Sequence, residues 1–234
     1  EHIPNLATYC NWPYIPQLME SAGYAKEVDY VVYKVDIASA VTDFYKWAYE
    51  RACRNKQYTL MEFKSRKEIK PHIHAIFNLM NDSFKELYGY STLDEGEMDQ
   101  LAKRYLPVID PRFVKAVKTN NDEIVGFIVG IPSIAEGIRA ARGRLWPFGF
   151  LKILNASKKS RKLDLYLGGI KAEHRGKGLD VLMGYSMLES ARKAGFEYID
   201  SHHELETNVK MRAEMERTGG KVYKRFRIYS KMLK

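Results

Sequence analysis

The sequence predicts an α/β fold, and three observations carry that prediction. From Tyr58 onward, strand-like and helix-like patterns follow one another as β-α-α-β-β-insert-β-α-β-α-β. Alternating, β-branched segments on either side of Asn120-Asn121-Asp122 mark a hairpin. The 234 residues are 45% hydrophobic and 29% charged, which suits a soluble globular chain able to bury a core without staples. That composition excludes a disordered chain, a collagen and a disulfide scaffold. At roughly 150 residues per domain, the length fits one large domain, or one domain plus a piece of another.

An internal repeat comes first along the chain. Met19-Glu20-x-x-Gly23 is followed by Tyr30, Val32 and Tyr33, and Met215-Glu216-x-x-Gly219 by Phe226, Ile228 and Tyr229, every pair 196 positions apart. Each copy reads as a helix stopped by glycine, then an alternating strand. Residues 1–35 are therefore expected to be the closing helix and strand of a first module. Residues 36–56 form a connecting helix, with Ile37, Val41, Phe44, Trp47, Ala48 and Ala52 at helical spacing. A strand follows at 58–63, then a helix at 68–88 with Pro71 in its first turn. Thr92-x-x-Glu95 offers a capping box for a helix to about Leu106.

The hairpin strands run 113–118 and 123–131. Residues 132–162 interrupt the pattern with Arg139, Arg142, Arg144, the apolar run Trp146-Pro147-Phe148-Gly149-Phe150, and the basic run Lys158, Lys159, Arg161, Lys162. A strand at 163–171, a helix at about 178–194, a strand at 197–205, a helix at about 208–218 and a strand at 221–232 complete the chain.

There are 38 basic and 29 acidic residues, a net charge of +9 and a pI near 9.3. This excess favours an anionic partner, whether nucleic acid, a membrane surface or a phosphorylated small molecule, and does not choose among them. No stretch approaches the roughly 20 apolar residues of a membrane span, and EHIPNLATYC lacks the features of a signal peptide. Cys10 and Cys53, without metal-ligand spacing, fit a reducing cytosol with both buried or free, so a cytoplasmic location is expected. The chain does not start with Met, which fits a fragment or a processed product.

The sharpest chemical signal is Ile170-Lys171-Ala172-Glu173-His174-Arg175-Gly176-Lys177-Gly178-Leu179-Asp180. It joins a strand to a helix through two glycines and two cations. Glycines allow close backbone approach. Free N–H groups and the helix dipole attract an anion, so phosphate or pyrophosphate is the natural guest. The same residues also suit an ordinary tight turn with solvated basic side chains.

In this element order, Arg175-Gly176-Lys177-Gly178 resembles the phosphate loop of the Gcn5-related N-acetyltransferase (GNAT) superfamily, over about Tyr58 to Lys234. The resemblance implies a mixed, mostly antiparallel central sheet flanked by helices. It also implies acetyl-CoA or another acyl-CoA as acyl donor and an amine of unknown identity as acceptor. Backbone at Ile170 and Lys171 would meet pantetheine or the acyl carbonyl. Arg175, Gly176, Lys177, Gly178 and Leu179 would hold pyrophosphate, and Asn208 would belong to the same site. The chain also resembles a tandem GNAT-like branch through Leu205-Glu206-Thr207-Asn208, Gly219-Gly220 and Arg227-Ile228-Tyr229. Residues 57–234 are then the acyltransferase domain, with an insert at about 132–162, preceded by the tail of a truncated first module.

Two positions depart from the family pattern. Asp180 replaces a small residue at the helix start, where it is expected to point away from the phosphate and cap. Met215 stands where many GNAT enzymes place an acidic Tyr, with Tyr185 a weaker substitute whose packing role is the simpler reading.

Acyl transfer to an amine needs a base, because an ammonium cannot attack a thioester. In Ser201-His202-His203-Glu204-Leu205-Glu206, a regular strand would put His202, Glu204 and Glu206 on one face. Glu206 is the first candidate base and Glu204 the second; solvated carboxylates at a strand end are the plain alternative. Adjacent His202 and His203 point apart, so no metal site is expected. The insert 132–162 suits a lid, an acyl-chain cover or a membrane contact, and slightly better a core-packing loop with a basic flank. Neither a membrane nor nucleic acid is expected as partner, and the oligomeric state is open. The reading is an acyl-CoA-dependent N-acyltransferase working by direct transfer. The alternative is a non-catalytic acyl-CoA-binding or interaction module, which Met215 and Asp180 would suit.

Overall fold

A computed structural model describes residues 11–107 and 109–232, so Cys10 and the first ten positions of the expected first module lie outside the described residues. Among the described residues the first elements are α1 (Ile15–Ser21), β1 (Ala25–Asp36), α2 (Ile37–Ala40) and α3 (Asp43–Cys53). The chain continues with β2 (Tyr58–Glu62), α4 (Arg66–Ile69), α5 (Ile73–Phe84), α6 (Glu95–Tyr105), β3 (Val114–Thr119) and β4 (Ile124–Pro132). Then come α7 (Ala135–Ala140), α8 (Gly149–Lys159), β5 (Lys162–Ile170) and α9 (Leu179–Lys193). Last are β6 (Tyr198–Asp200), β7 (Glu204–Leu205), α10 (Val209–Arg217) and β8 (Lys221–Ser230). The result is a mixed α/β fold whose strands pair mostly antiparallel, with β5–β6 parallel. The residues fall into two compact units, one holding 11–36, 132–164 and 196–232, the other 37–131 and 165–195.

In the second unit β2, β3 and β4 form an antiparallel meander, with Leu60 opposite Val117 and Ala116 opposite Phe127. The turn at 120–122 closes it, Asp122 adopting a left-handed φ of 59° that an Asx residue tolerates. Successive β3 side chains alternate between the sheet faces. Val114 and Ala116 join Ile76, Leu79 and Met80 of α5, while Val117 joins Leu179, Leu182 and Met183 of α9. Lys115 is 2% exposed, yet its Nζ donates to Glu62 Oε1 (2.6 Å) and Ser190 Oγ (2.8 Å), so the buried cation is paired.

Three elements differ from the sequence pattern. The connecting helix breaks at 41–42, where Thr42 caps α3 through Tyr45 N–H (3.1 Å). The break resets the buried face onto Tyr45 and leaves Phe44 and Trp47 exposed. The expected helix at 68–88 is α4, a 3₁₀ turn at Lys70–His72, and α5, because Pro71 has no N–H for an α-type bond. The capping box of α6 is Asp94 with Glu97, not Thr92 with Glu95. Asp94 stands one residue before the helix and accepts from Glu97 N–H at 2.8 Å.

In the first unit the twelve-residue β1 pairs antiparallel with β6, β7 and β8. β5 runs parallel to β6 for three residues, Lys162 to Asp164, and its later residues belong to the second unit. Val31, Val32, Tyr33, Leu163 and Ile199 are buried. Within the insert, α7 packs on α8 so closely that a Cβ on Gly137 would lie 2.6 Å from Ile153 Cα. The apolar run is not core: Trp146 is 81% exposed and Phe148 66%. Its large side chains face solvent while Gly149 is buried, and the close contacts between the two helices are made at Gly137, Ile153 and Ala156 instead.

Candidate functional site

The glycine loop is built from local rules. β5 ends at Ile170, a 3₁₀ turn covers Ala172–His174, and α9 starts at Leu179. Gly178 is the helix N-cap at φ 82°, a left-handed geometry that suits glycine, and it has no side chain to satisfy the first turn. The first intrahelical bond is Leu182 N–H to Gly178 O at 3.0 Å, so the N–H groups of Leu179, Asp180 and Val181 have no intrahelical acceptor. Arg175 and Lys177 are exposed beside them, with no carboxylate paired to either among the described residues. A fifteen-residue helix aims its positive end at this point. These groups fit a phosphate or pyrophosphate. Asp180 puts a carboxylate in the same turn. Leu179 anchors the loop with a side chain 2% exposed in the α9 core.

The backbone at the strand end is already engaged. Ile170 C=O accepts from Arg175 Nε (3.0 Å), Lys171 N–H donates to Val125 O (2.9 Å), and Lys171 C=O accepts from His174 N–H (2.9 Å). Lys171 Nζ pairs with Glu123 at 2.6 Å, and Tyr58 O–H meets His174 Nδ1 at 2.8 Å. These bonds hold the shape of the loop.

The expected strand at 197–205 is broken. Ser201–His203 separates β6 from β7, and His202 takes a φ of 61°. Strand alternation restarts there, so His202, Glu204 and Glu206 do not share one face by register. Glu206 accepts from Lys26 Nζ (2.9 Å) and Arg225 Nη1 (3.1 Å). The Lys26 hydrogen bond, with its charge, holds the Glu206 carboxyl below its usual range, the opposite of a base poised near neutrality. Glu204 has that poise: burial pushes its carboxyl up to about 8. Its neighbour His203 is pushed down to about 4 by burial and by His202. His203 lies edge-on to Phe226 (4.5 Å between centroids), its buried Nε2 without a hydrogen-bond partner among the described residues.

Asn208 caps α10, its side-chain oxygen accepting from Met211 N–H at 3.3 Å. Met215 is buried core, and Tyr185 is buried in the second unit, stacked on Tyr49 at 4.5 Å.

One polar cluster was not legible in the sequence pattern. Asp164 and Asp200 are register neighbours on β5 and β6, both buried. Lys162 Nζ lies 3.1 Å from Asp164 and 3.9 Å from Asp200, Lys224 Nζ is 3.6 Å from Asp200, and Tyr223 O–H donates to Asp200. Burial pushes Asp164 up to about 6, against the pull of Lys162. Burial opposes the charge on Asp200 too, but Tyr223, the His202 N–H and the two lysines hold it below its usual range. An aspartate inside each of the apolar segments Leu163–Leu167 and Tyr198–Asp200 was the available signal.

Among the described residues no three His, Cys, Asp or Glu are placed to hold a metal ion, and no helix is long and apolar enough to cross a membrane. Cys53 is exposed with a free thiol.

No family model matches the chain. It is 29% identical over 223 residues to a protein named bacterial ceramide synthase from Caulobacter vibrioides, covering 92% of this chain and 57% of that protein. The chain spans about half the length of the curated relatives it matches. Its fold is similar to the crystal structure of a GCN5-related N-acetyltransferase from Sphaerobacter thermophilus, at a TM-score of 0.60 and 14% identity, over 92% of this chain and 55% of that one. It is also similar to a tandem GNAT protein from the clavulanic acid biosynthesis pathway, at a TM-score of 0.56 and 12% identity, over 96% and 60% of the two chains. With a glycine loop ahead of α9 and a mixed, mostly antiparallel sheet, the chain has a GNAT-like fold.

Proposed function

We propose that the chain is an acyl-CoA-dependent N-acyltransferase that moves an acyl group directly to the amine of a long-chain amino alcohol. The observation that carries this reading is the α9 N-terminus, where uncapped N–H groups and exposed Arg175 and Lys177 suit the pyrophosphate of a coenzyme A thioester. The relative named ceramide synthase supports the acceptor class, since a ceramide is the amide of such an amine.

The acceptor arrives as an ammonium. Glu204 is the candidate base in this reading: with its carboxyl near 8 it is ionised, and so able to take a proton from the ammonium, as pH rises through about 8. The freed nitrogen bonds to the carbonyl carbon as the carbon–sulfur bond breaks, and the second proton leaves nitrogen for the departing thiolate. Glu206 holds β1, β7 and β8 together through Lys26 and Arg225. We also propose that residues 15–35 belong to a first module of the same kind, as the repeat of helix, glycine and strand at α1–β1 and α10–β8 supports.

A non-catalytic acyl-CoA-binding module is the second reading, favoured by the buried Met215. Acetyl-CoA and long-chain acyl-CoAs, each with a long-chain amino alcohol, separate the two. Thiol release coupled to amide formation is expected with the long-chain donors. Tight thioester binding without thiol release favours the binding module, and absence of binding overturns both.

A further inference from the structure

We propose that the α7–α8 hairpin docks the protein onto an anionic lipid bilayer. Leu145, Trp146, Phe148, Leu151 and Leu154 are each at least half exposed, and Phe150 is 43% exposed. Leu151 and Leu154 sit on α8, which close packing at Gly137 clamps against α7, and the turn that carries Leu145, Trp146 and Phe148 is tied to α8 by Phe150 N–H donating to Leu145 O (3.1 Å). At about 100° per residue, Leu151, Leu154 and Lys158 lie on the side of α8 opposite Ile153 and Ala156, which face Gly137. The helix thus offers an outward apolar stripe that ends in lysine, continued by an aromatic turn.

The charge around it selects the occupant. Arg139, Arg142, Arg144, Lys152, Lys158 and Lys159 are exposed, and none is ion-paired among the described residues. Glu136 is the one acid in 132–162. Apolar and aromatic side chains ringed by cations are the composition of an interfacial element, with apolar groups entering the acyl boundary and long basic stems reaching the headgroups. A second copy would set these cations against each other. The proposal needs no step of acyl transfer, and its test uses no thioester.

The experiment is co-sedimentation of the chain with vesicles of phosphatidylcholine alone, or of phosphatidylcholine with phosphatidylglycerol in a two-to-one ratio, at low and high salt. Binding is expected to the anionic vesicles and to fall at high salt, as screening requires. Trp146→Ser with Leu154→Ser should weaken it by at least ~10-fold. Arg142→Glu with Arg144→Glu should weaken it by more than the roughly fivefold expected per cation lost. These side chains are exposed, so the thermal melts should match wild type. Absence of binding to anionic vesicles, or unchanged binding by either folded double variant, overturns the proposal. So does a concentration-dependent dimer that Trp146→Ser dissociates while no vesicle binding occurs, since a second copy then covers the face.

Discussion

Tyr30 and Phe226 face each other directly across the antiparallel β1–β8 ladder, and they are the same position of the 196-residue repeat. A local two-fold axis therefore passes between them. The symmetry extends to side chains: Tyr33 O–H donates to Glu216 (2.9 Å), and Tyr229 O–H to Glu20 (3.2 Å), each pair the image of the other. His203, between β6 and β7, packs against both Tyr30 and Phe226 and breaks the symmetry.

The two images should differ in energy. Tyr33 is 1% exposed and also accepts from Arg212 Nε at 3.0 Å, whereas Tyr229 is only half-buried. Tyr33→Phe should cost about 0.5–1.5 kcal/mol, the net contribution of a hydrogen bond whose partners, Arg212 and Glu216, keep access to water. Tyr229→Phe should cost less than about 0.5 kcal/mol. Urea denaturation of the two variants measures the difference.

Glu204→Gln should lower turnover by ~10²-fold or more while leaving thioester affinity close to wild type. In its proposed role as base Glu204 must be deprotonated, so the wild-type rate should rise with pH through about 8 and level off above it. That limb should vanish in the variant. Glu206→Gln, with its carboxylate already ion-paired to Lys26, should leave the limb in place. A pH–rate profile of both variants checks the assignment.

Arg175→Glu with Lys177→Glu should weaken coenzyme A binding several-fold or more, since two charges reverse beside the proposed pyrophosphate site. Both side chains are exposed, so the melting temperature should hardly move. Calorimetry with coenzyme A reads the affinity. Equal affinity in a folded variant would remove the phosphate role of the loop.

Asp164 should lower stability at neutral pH. Its folded pKa of about 6 lies above the 3.8 of an unfolded aspartate, so the folded state binds the proton more tightly. The penalty is absent below the unfolded value, grows as pH rises through the folded value, and is constant above it. Asp164→Asn should therefore stabilise by about 1–3 kcal/mol near pH 8 and have little effect near pH 4. Urea midpoints at the two pH values give the comparison.

The sequence by itself determined what short-range physics governs. The hairpin of β3 and β4 follows from period-two alternation and an Asx-rich turn, and the α9 start follows from two glycines that allow left-handed backbone. The helix–glycine–strand repeat was legible for the same reason. Tertiary structure alone decided what depends on which surfaces meet. Whether Glu204 or Glu206 is poised rests on burial around one and on Lys26, 180 residues away, beside the other. Whether Trp146 and Phe148 are core or surface rests on α8 turning Ile153 and Ala156 inward against Gly137. Hydrophobicity along a chain records that a residue prefers to leave water, but which neighbours cover it, and so which carboxylate loses its solvent, is set by contacts between segments far apart in sequence.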